Sequence, residues 1–155
     1  MMLAAASSVH TVRWANAFAA RGHEVHLVSL QQPLPTLDDR IRVYPLAFRA
    51  GAGYLLNIRR LRQLVRSIRP EVINAHYATG YGTMARQVTD TPIVLNVWGS
   101  DVFAFPDKGL LHREWLKRNL LHADHIVSTS QVMADRVRTF TCEVDTMWSA
   151  CRRLR

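Results

Sequence analysis

Two short segments gather side chains that can do chemistry. His76-Tyr77 follows the strand-like run Val72–Ala75, and Trp98-Gly99-Ser100-Asp101 follows the apolar run Ile93–Val97. An imidazole gives or takes a proton near neutral pH, and a tyrosine stacks on a ring or hydrogen-bonds a hydroxyl. Trp98 and Asp101 add a stacking face and a carboxylate. Each residue alone also has a plain structural reading, with His76 a satisfied core group, Trp98 a core aromatic and Gly99 a turn residue.

Gly80-Tyr-Gly82-Thr-Met-Ala85 matches the G-x-G-x-x-A phosphate fingerprint of dinucleotide sites, with Asp101 as the acid further on. The fit is poor. His76–Thr79 separate the strand from the first glycine, and Asp101 lies beyond Trp98-Gly99-Ser100 instead of at a strand end. Gly51-Ala-Gly53 reaches Leu56 where a glycine is needed, so it reads as a flexible loop, and no Gly-Lys-Ser/Thr phosphate loop is present. His23/His26 and His122/His125 form two H-x-x-H pairs. The first points to opposite faces of a strand, and the second straddles a helix end and a strand start. No cysteine pair assists either, so no metal is expected.

The stretch Tyr54–Arg69 carries two stripes at helical spacing. Ile58, Leu61, Val65 and Ile68 make a core face, and Arg59, Arg62, Arg66 and Arg69 recur beside them with no acid between Tyr54 and Arg69. Such a row suits an anionic membrane surface as well as a solvated face.

These groups are positioned by strands and helices that alternate along the chain. Strands are expected at Met1–Ala5, Val25–Leu30, Ile41–Tyr44, Val72–Ala75, Ile93–Val97 and Ile126–Ser128. Helices are expected at Val9–Arg21 (with Ser8 as its cap), Tyr54–Arg69, Gly80 to about Val88, Leu110–Leu121 and Gln131–Phe140. The fold class is α/β: a doubly wound, Rossmann-like parallel sheet with helices on both faces and strand order third, second, first, fourth, fifth, sixth. Ligands bind beyond the carboxyl ends of such strands, where both chemical segments fall.

The chain has 155 residues, 48% of them hydrophobic and 21% charged, which suits one folded domain. No apolar run approaches a membrane span, and Met1–His10 lacks a basic leader region. Two cysteines, Cys142 and Cys151, make no disulfide framework and suit a reducing compartment. The net charge is +8, and only Lys108 and Lys117 of the 20 basic residues are lysines. Such a charge suits solubility and nonspecific anion affinity, and equally an anionic partner such as phosphate or a phospholipid surface. Nucleic acid is not expected, because basic and aromatic residues do not interleave.

Taken in order, four segments resemble the amino-terminal domain of a family-4-type glycosyltransferase of the GT-B fold. They are Ser7-Ser8-Val-His10-Thr-Val-Arg13-Trp14 through Arg21-Gly22-His23-Glu24-Val25; Arg69-Pro70-Glu-Val-Ile-Asn-Ala-His76-Tyr77; Pro92 through Trp98-Gly99-Ser100-Asp101-Val102; and Ala123-Asp124 through Ser130. The resemblance covers about residues 1–140. It implies retaining transfer of a sugar from a nucleotide-sugar donor, with no metal or other cofactor, to a sugar or lipid-linked acceptor held by this domain. By the same resemblance Ser7, Ser8 and His10 approach the donor phosphates and acceptor, and His76 and Tyr77 contact the acceptor. Trp98, Gly99 and Asp101 line the transferred sugar's pocket, with Asp101 and Trp98 as the catalytic candidates. Arg113 meets an anionic group on the acceptor, and Ser130 ends a strand at the cleft.

The chain departs from that family at three points. The family's donor domain carries two glutamates eight positions apart, and Glu24, Glu71, Glu114 and Glu143 offer no such pair. Trp98 stands where many members have a sugar-contacting histidine. Ser7-Ser8 replace glycines in the first loop. Glu143-Val144-Asp145-Thr146 resembles the Gly-Val-Asp-Thr that begins the crossing into the second domain. The expectation is an acceptor-binding domain over 1–140 and a truncated linker over 141–155, from a fragment or frameshifted gene and inactive alone. It would pair with a separate donor-binding domain, in the cytoplasm or peripherally on the cytoplasmic membrane face. The rival reading is a non-catalytic module that binds an acceptor or a membrane.

Overall fold

The computed structural model describes residues 1–48, 50–88, 90–141 and 145–146. In chain order the elements are β1 (Met2–Leu3), α1 (Val9–Ala20), β2 (His26–Ser29), β3 (Arg42–Pro45), α2 (Ala50–Leu56), α3 (Ile58–Ile68), β4 (Ile73–His76), α4 (Gly82–Ala85), β5 (Ile93–Asn96), α5 (Leu110–His122), β6 (His125–Ser128), α6 (Gln131–Arg138) and β7 (Asp145–Thr146). The strands form one sheet in the order β3-β2-β1-β4-β5-β6-β7. Every pairing is parallel, with Leu3 opposite both Val28 and Ala75. The expected order of the first six strands is the observed one, and β7 extends the sheet beyond β6. Residues 142–144 and 147–155 of the expected linker, Cys142 and Cys151 included, lie outside the described residues.

Strand alternation divides the core between the two sheet faces. Leu3 and Val28 join one cluster with Leu61 of α3, Met84 of α4, Leu116 of α5 and Val137 of α6. Met2 and Leu27 join the other, with Ala15 and Ala19 of α1. Small alanines let α1 lie close to the sheet beneath the first loop. Gly22, at φ 85, ends that helical segment in the left-handed region that glycine adopts without penalty.

The expected single helix over Tyr54–Arg69 differs in the structure. It begins earlier, so Gly51 and Gly53 are helical instead of forming a loop, and it is divided at Asn57. Asn57 is 2% exposed and gives its side-chain N–H groups to the carbonyls of Phe48 and Gly53, each at 2.8 Å. A buried amide that ties back the preceding loop is a reason for the break. The fully buried positions of α3 are Leu61 and Leu64, while Ile58, Val65 and Ile68 are only half-buried.

Candidate functional site

A cleft of about 390 Å³ opens at the carboxyl ends of β1, β4 and β5, lined by Ser8, Tyr54, His76, Tyr77, Tyr81, Trp98 and Ser100 among others. The structure thus brings together Ser8, His76, Tyr77 and Trp98 from separate parts of the sequence.

The histidine at the end of β4 is the most unusual of them. It is 4% exposed, and neither ring nitrogen has a hydrogen-bond partner. Burial pushes its pKa down to about 4, so the ring is neutral at pH 7. Its ring lies 5.5 Å from that of Trp98, whose indole N–H is also buried without a partner. His10 meets the same indole edge-on at 5.1 Å. Buried polar atoms without partners carry a cost in stability.

The chain leaves β4 through a π-turn, Tyr77–Tyr81, in place of an ordinary helix start. Tyr77 has φ 81, a strained value for a residue with a side chain, and its hydroxyl lies 3.1 Å from that of Ser100. Tyr81 is held more firmly: its hydroxyl accepts the Leu30 N–H at 3.0 Å and donates to Gln31 at 2.7 Å. Tyr54 of α2 meets the Tyr81 ring edge-on at 5.4 Å, and burial pushes its phenol up to about 12.

Asp101 does not line this cleft. It is 0% exposed, and its carboxylate accepts the N–H groups of Trp98 at 3.0 Å, Gly99 at 2.9 Å and Ala78 at 2.8 Å. Burial raises its pKa, opposed by those backbone hydrogen bonds. Enclosed in this way, the carboxylate expected to be catalytic joins the loop after β5 to the strained turn after β4. Gly99 belongs to the same device, since its φ of 112 suits only glycine.

The remaining expected residues are placed elsewhere. Ser7 is exposed outside the cleft lining, and His10 borders a shallow depression with Arg13, Trp14, Ala17 and Thr129. Ser8 occupies the cap position of α1, but its hydroxyl makes no capping bond. Arg113 is exposed, with its guanidinium 5.0 Å from the Phe140 ring instead of in the cleft. Ser130 caps α6, accepting the Met133 N–H at 3.3 Å. Arg59, Arg62, Arg66 and Arg69 are all exposed. Gly80 lies against the Tyr54 ring and Gly82 against Leu95, so side chains of this chain occupy the close approach at both glycines. Among the described residues, no three His, Cys, Asp or Glu side chains come together as a metal set.

Sequence reasoning missed Tyr54, Tyr81 and the support behind the turn, and gave Ser100 no role of its own within its segment. Asn119 of α5 is buried and donates to the Ala78 carbonyl at 2.8 Å and to Thr83 at 2.9 Å. The Trp115 indole donates to the same threonine at 2.7 Å. An asparagine between Leu116 and Leu120 on a core-facing helix was the available signal.

No curated protein matches the chain. A solved structure, the Glycyrrhiza uralensis UGT73P12 complexed with glycyrrhetinic acid 3-O-monoglucuronide, is similar with a TM-score of 0.59 at 13% identity. The likeness covers 94% of this chain and 47% of that one, so the chain spans about half its length and shares the architecture of that half. The family described as Glycosyl transferase 4-like matches residues 1–130. With that match spanning most of the sheet and every residue of the cleft lining, the chain belongs to the glycosyl transferase 4-like family.

Proposed function

We propose that the chain is the acceptor side of a retaining glycosyltransferase, binding a sugar-bearing acceptor while a nucleotide sugar supplies the transferred group. The observation that carries this reading is the aromatic-walled cleft at the carboxyl ends of the strands, lined by Tyr54, Tyr77, Tyr81 and Trp98 together with the hydroxyls of Ser8 and Ser100. A pyranose offers C–H faces to Tyr54, Tyr77 and Trp98, and hydroxyls to those of Ser8, Tyr77 and Ser100. Each of those side-chain hydroxyls both donates and accepts. Ser8 places the amino end of α1 at the cleft, and the first turn of that helix holds no acid. Its unpaired N–H groups and dipole favour negative charge, such as that of a leaving diphosphate.

These 155 residues hold no pair of glutamates eight positions apart and no basic clamp in the cleft. Donor and acceptor must be held together in the transition state, so the reading includes no turnover by this chain alone. The test is calorimetric titration with glycosides and nucleotide sugars, with an assay for nucleoside diphosphate release. Saturable glycoside binding that weakens at least tenfold in Trp98→Ala, without diphosphate release, is expected. Turnover of a nucleotide sugar would overturn the half-enzyme reading. Glycoside binding insensitive to Trp98→Ala would overturn the assignment of the cleft.

A further inference from the structure

The cleft does not account for the arginine row or for the exposed leucines beside it. Although α2 and α3 are divided at Asn57, the hydrogen-bond ladder runs through it: the Asn57 N–H donates to Gly53 at 3.2 Å and the Leu61 N–H to Asn57 at 2.9 Å. Positions on the two helices therefore share one wheel. At ~100° per residue, Leu55, Arg59, Arg62 and Arg66 fall within ~60° of one another. They lie opposite the buried row of Asn57, Leu61 and Leu64.

This outer row is cationic along α3 and apolar at its start. Leu55, in this row, is 47% exposed, and Leu56, ~100° further round on the adjoining flank, is 58% exposed. Among the described residues, none of the three arginines pairs with a carboxylate; Arg62 gives one N–H to the Gln87 carbonyl at 3.0 Å. Arg69, expected in the same row, caps α3 at φ 52 and leaves the helical path. The opposite flank of α2 carries Tyr54 into the cleft.

We propose that this outer face of α2 and α3 docks on an anionic lipid bilayer, with Arg59, Arg62 and Arg66 at the headgroups and Leu55 and Leu56 entering the interface. Charge complementarity selects an anionic surface, and the leucines select lipid over an acidic polymer, which would leave them in water. No described helix is long and apolar enough to cross a membrane, so the contact is interfacial. The proposal does not depend on the transfer reaction, since it concerns the outer face and not the cleft.

The experiment is co-sedimentation of the full chain with phosphatidylcholine vesicles, with and without phosphatidylglycerol, at low and high salt. Binding only to the anionic vesicles, weakened by salt, is expected. The double variant Arg59→Gln/Arg66→Gln should lower partitioning about 30-fold, at roughly 1 kcal/mol per cation. Leu55→Ser/Leu56→Ser should lower vesicle binding while leaving heparin binding unchanged. Because the substituted side chains face solvent, the urea midpoint of each variant should match the parent. Equal binding to neutral vesicles would overturn the proposal, as would anionic-vesicle binding insensitive to salt or loss of heparin and vesicle binding together in the leucine variant.

Discussion

Replacing His76 with phenylalanine isolates what a buried, unpartnered imidazole does to stability. Its pKa is about 4 in the folded chain against an ordinary 6.5, so the unfolded chain binds the extra proton between those values. Stability from this group is therefore fully present above pH 6.5, falls as the pH drops through the window, and is lost by about pH 4. The span of the window corresponds to a loss of ~3 kcal/mol, a large share of the 5–15 kcal/mol typical of a domain. His26 is also held below its usual value by burial, and Asp101 is raised. These two act with opposite signs on acidification, and both remain in the variant, so the comparison with the parent cancels them. Phenylalanine keeps the ring beside Trp98 and removes no hydrogen bond, because neither nitrogen makes one. The assay is urea unfolding followed by circular dichroism from pH 7.5 to pH 4. The variant should equal or exceed the parent at pH 7 and lead it by ~3 kcal/mol near pH 4. Parallel stability curves across that range would refute the reasoning.

Three further outcomes follow from the same geometry. Asp101→Ala strands three backbone N–H groups and should destabilise the chain by ~3–5 kcal/mol, read as a lowered urea midpoint. Gly80→Ala would place a methyl group 2.7 Å from the Tyr54 ring; displacement of that ring should cost ~1–3 kcal/mol and loosen glycoside binding in the titration above. Gly99→Ala forces φ 112 on a residue with a side chain and should lower the thermal midpoint by an amount equivalent to ~1–3 kcal/mol.

Most of the architecture was legible because each β-α unit is punctuated locally. Gly22, Pro70 and Pro92 mark boundaries, and the short apolar runs between them have the lengths of strands. The Rossmann-like order then follows from right-handed crossovers. Local signals did not reveal the division at Asn57, which depends on an amide reaching back past α2 to Phe48. They also missed the π-turn, which is held from outside by Asn119 and Asp101. Of the cleft, Ser8, His76, Tyr77 and Trp98 were legible as residues directly after strands. Tyr54 was not, because it arrives from a helix that must first fold over the turn. Asp101, Arg113 and Ser130 took their expected roles from the resemblance. A resemblance in sequence does not say whether a side chain faces the cleft, a neighbouring backbone or an aromatic ring, and in the structure these three meet backbone N–H groups, the Phe140 ring and the first turn of α6.

The π-turn at Tyr77–Tyr81 bears on how this segment tolerates changes in length. A π-turn holds one residue more than the α-turn it replaces, so the surplus is confined to a single bulge before α4. Removing one residue from Ala78–Gly80 lets the backbone close into ordinary α-helix without moving β4 or α4 out of register. The same deletion rotates Tyr77 relative to Tyr81 by about a quarter turn and separates Ala78 from the carboxylate that bonds its N–H. Length variation at this point is thus cheap for the sheet and costly for the cleft, so a one-residue gap here among related chains marks a rebuilt cleft wall and not an altered fold.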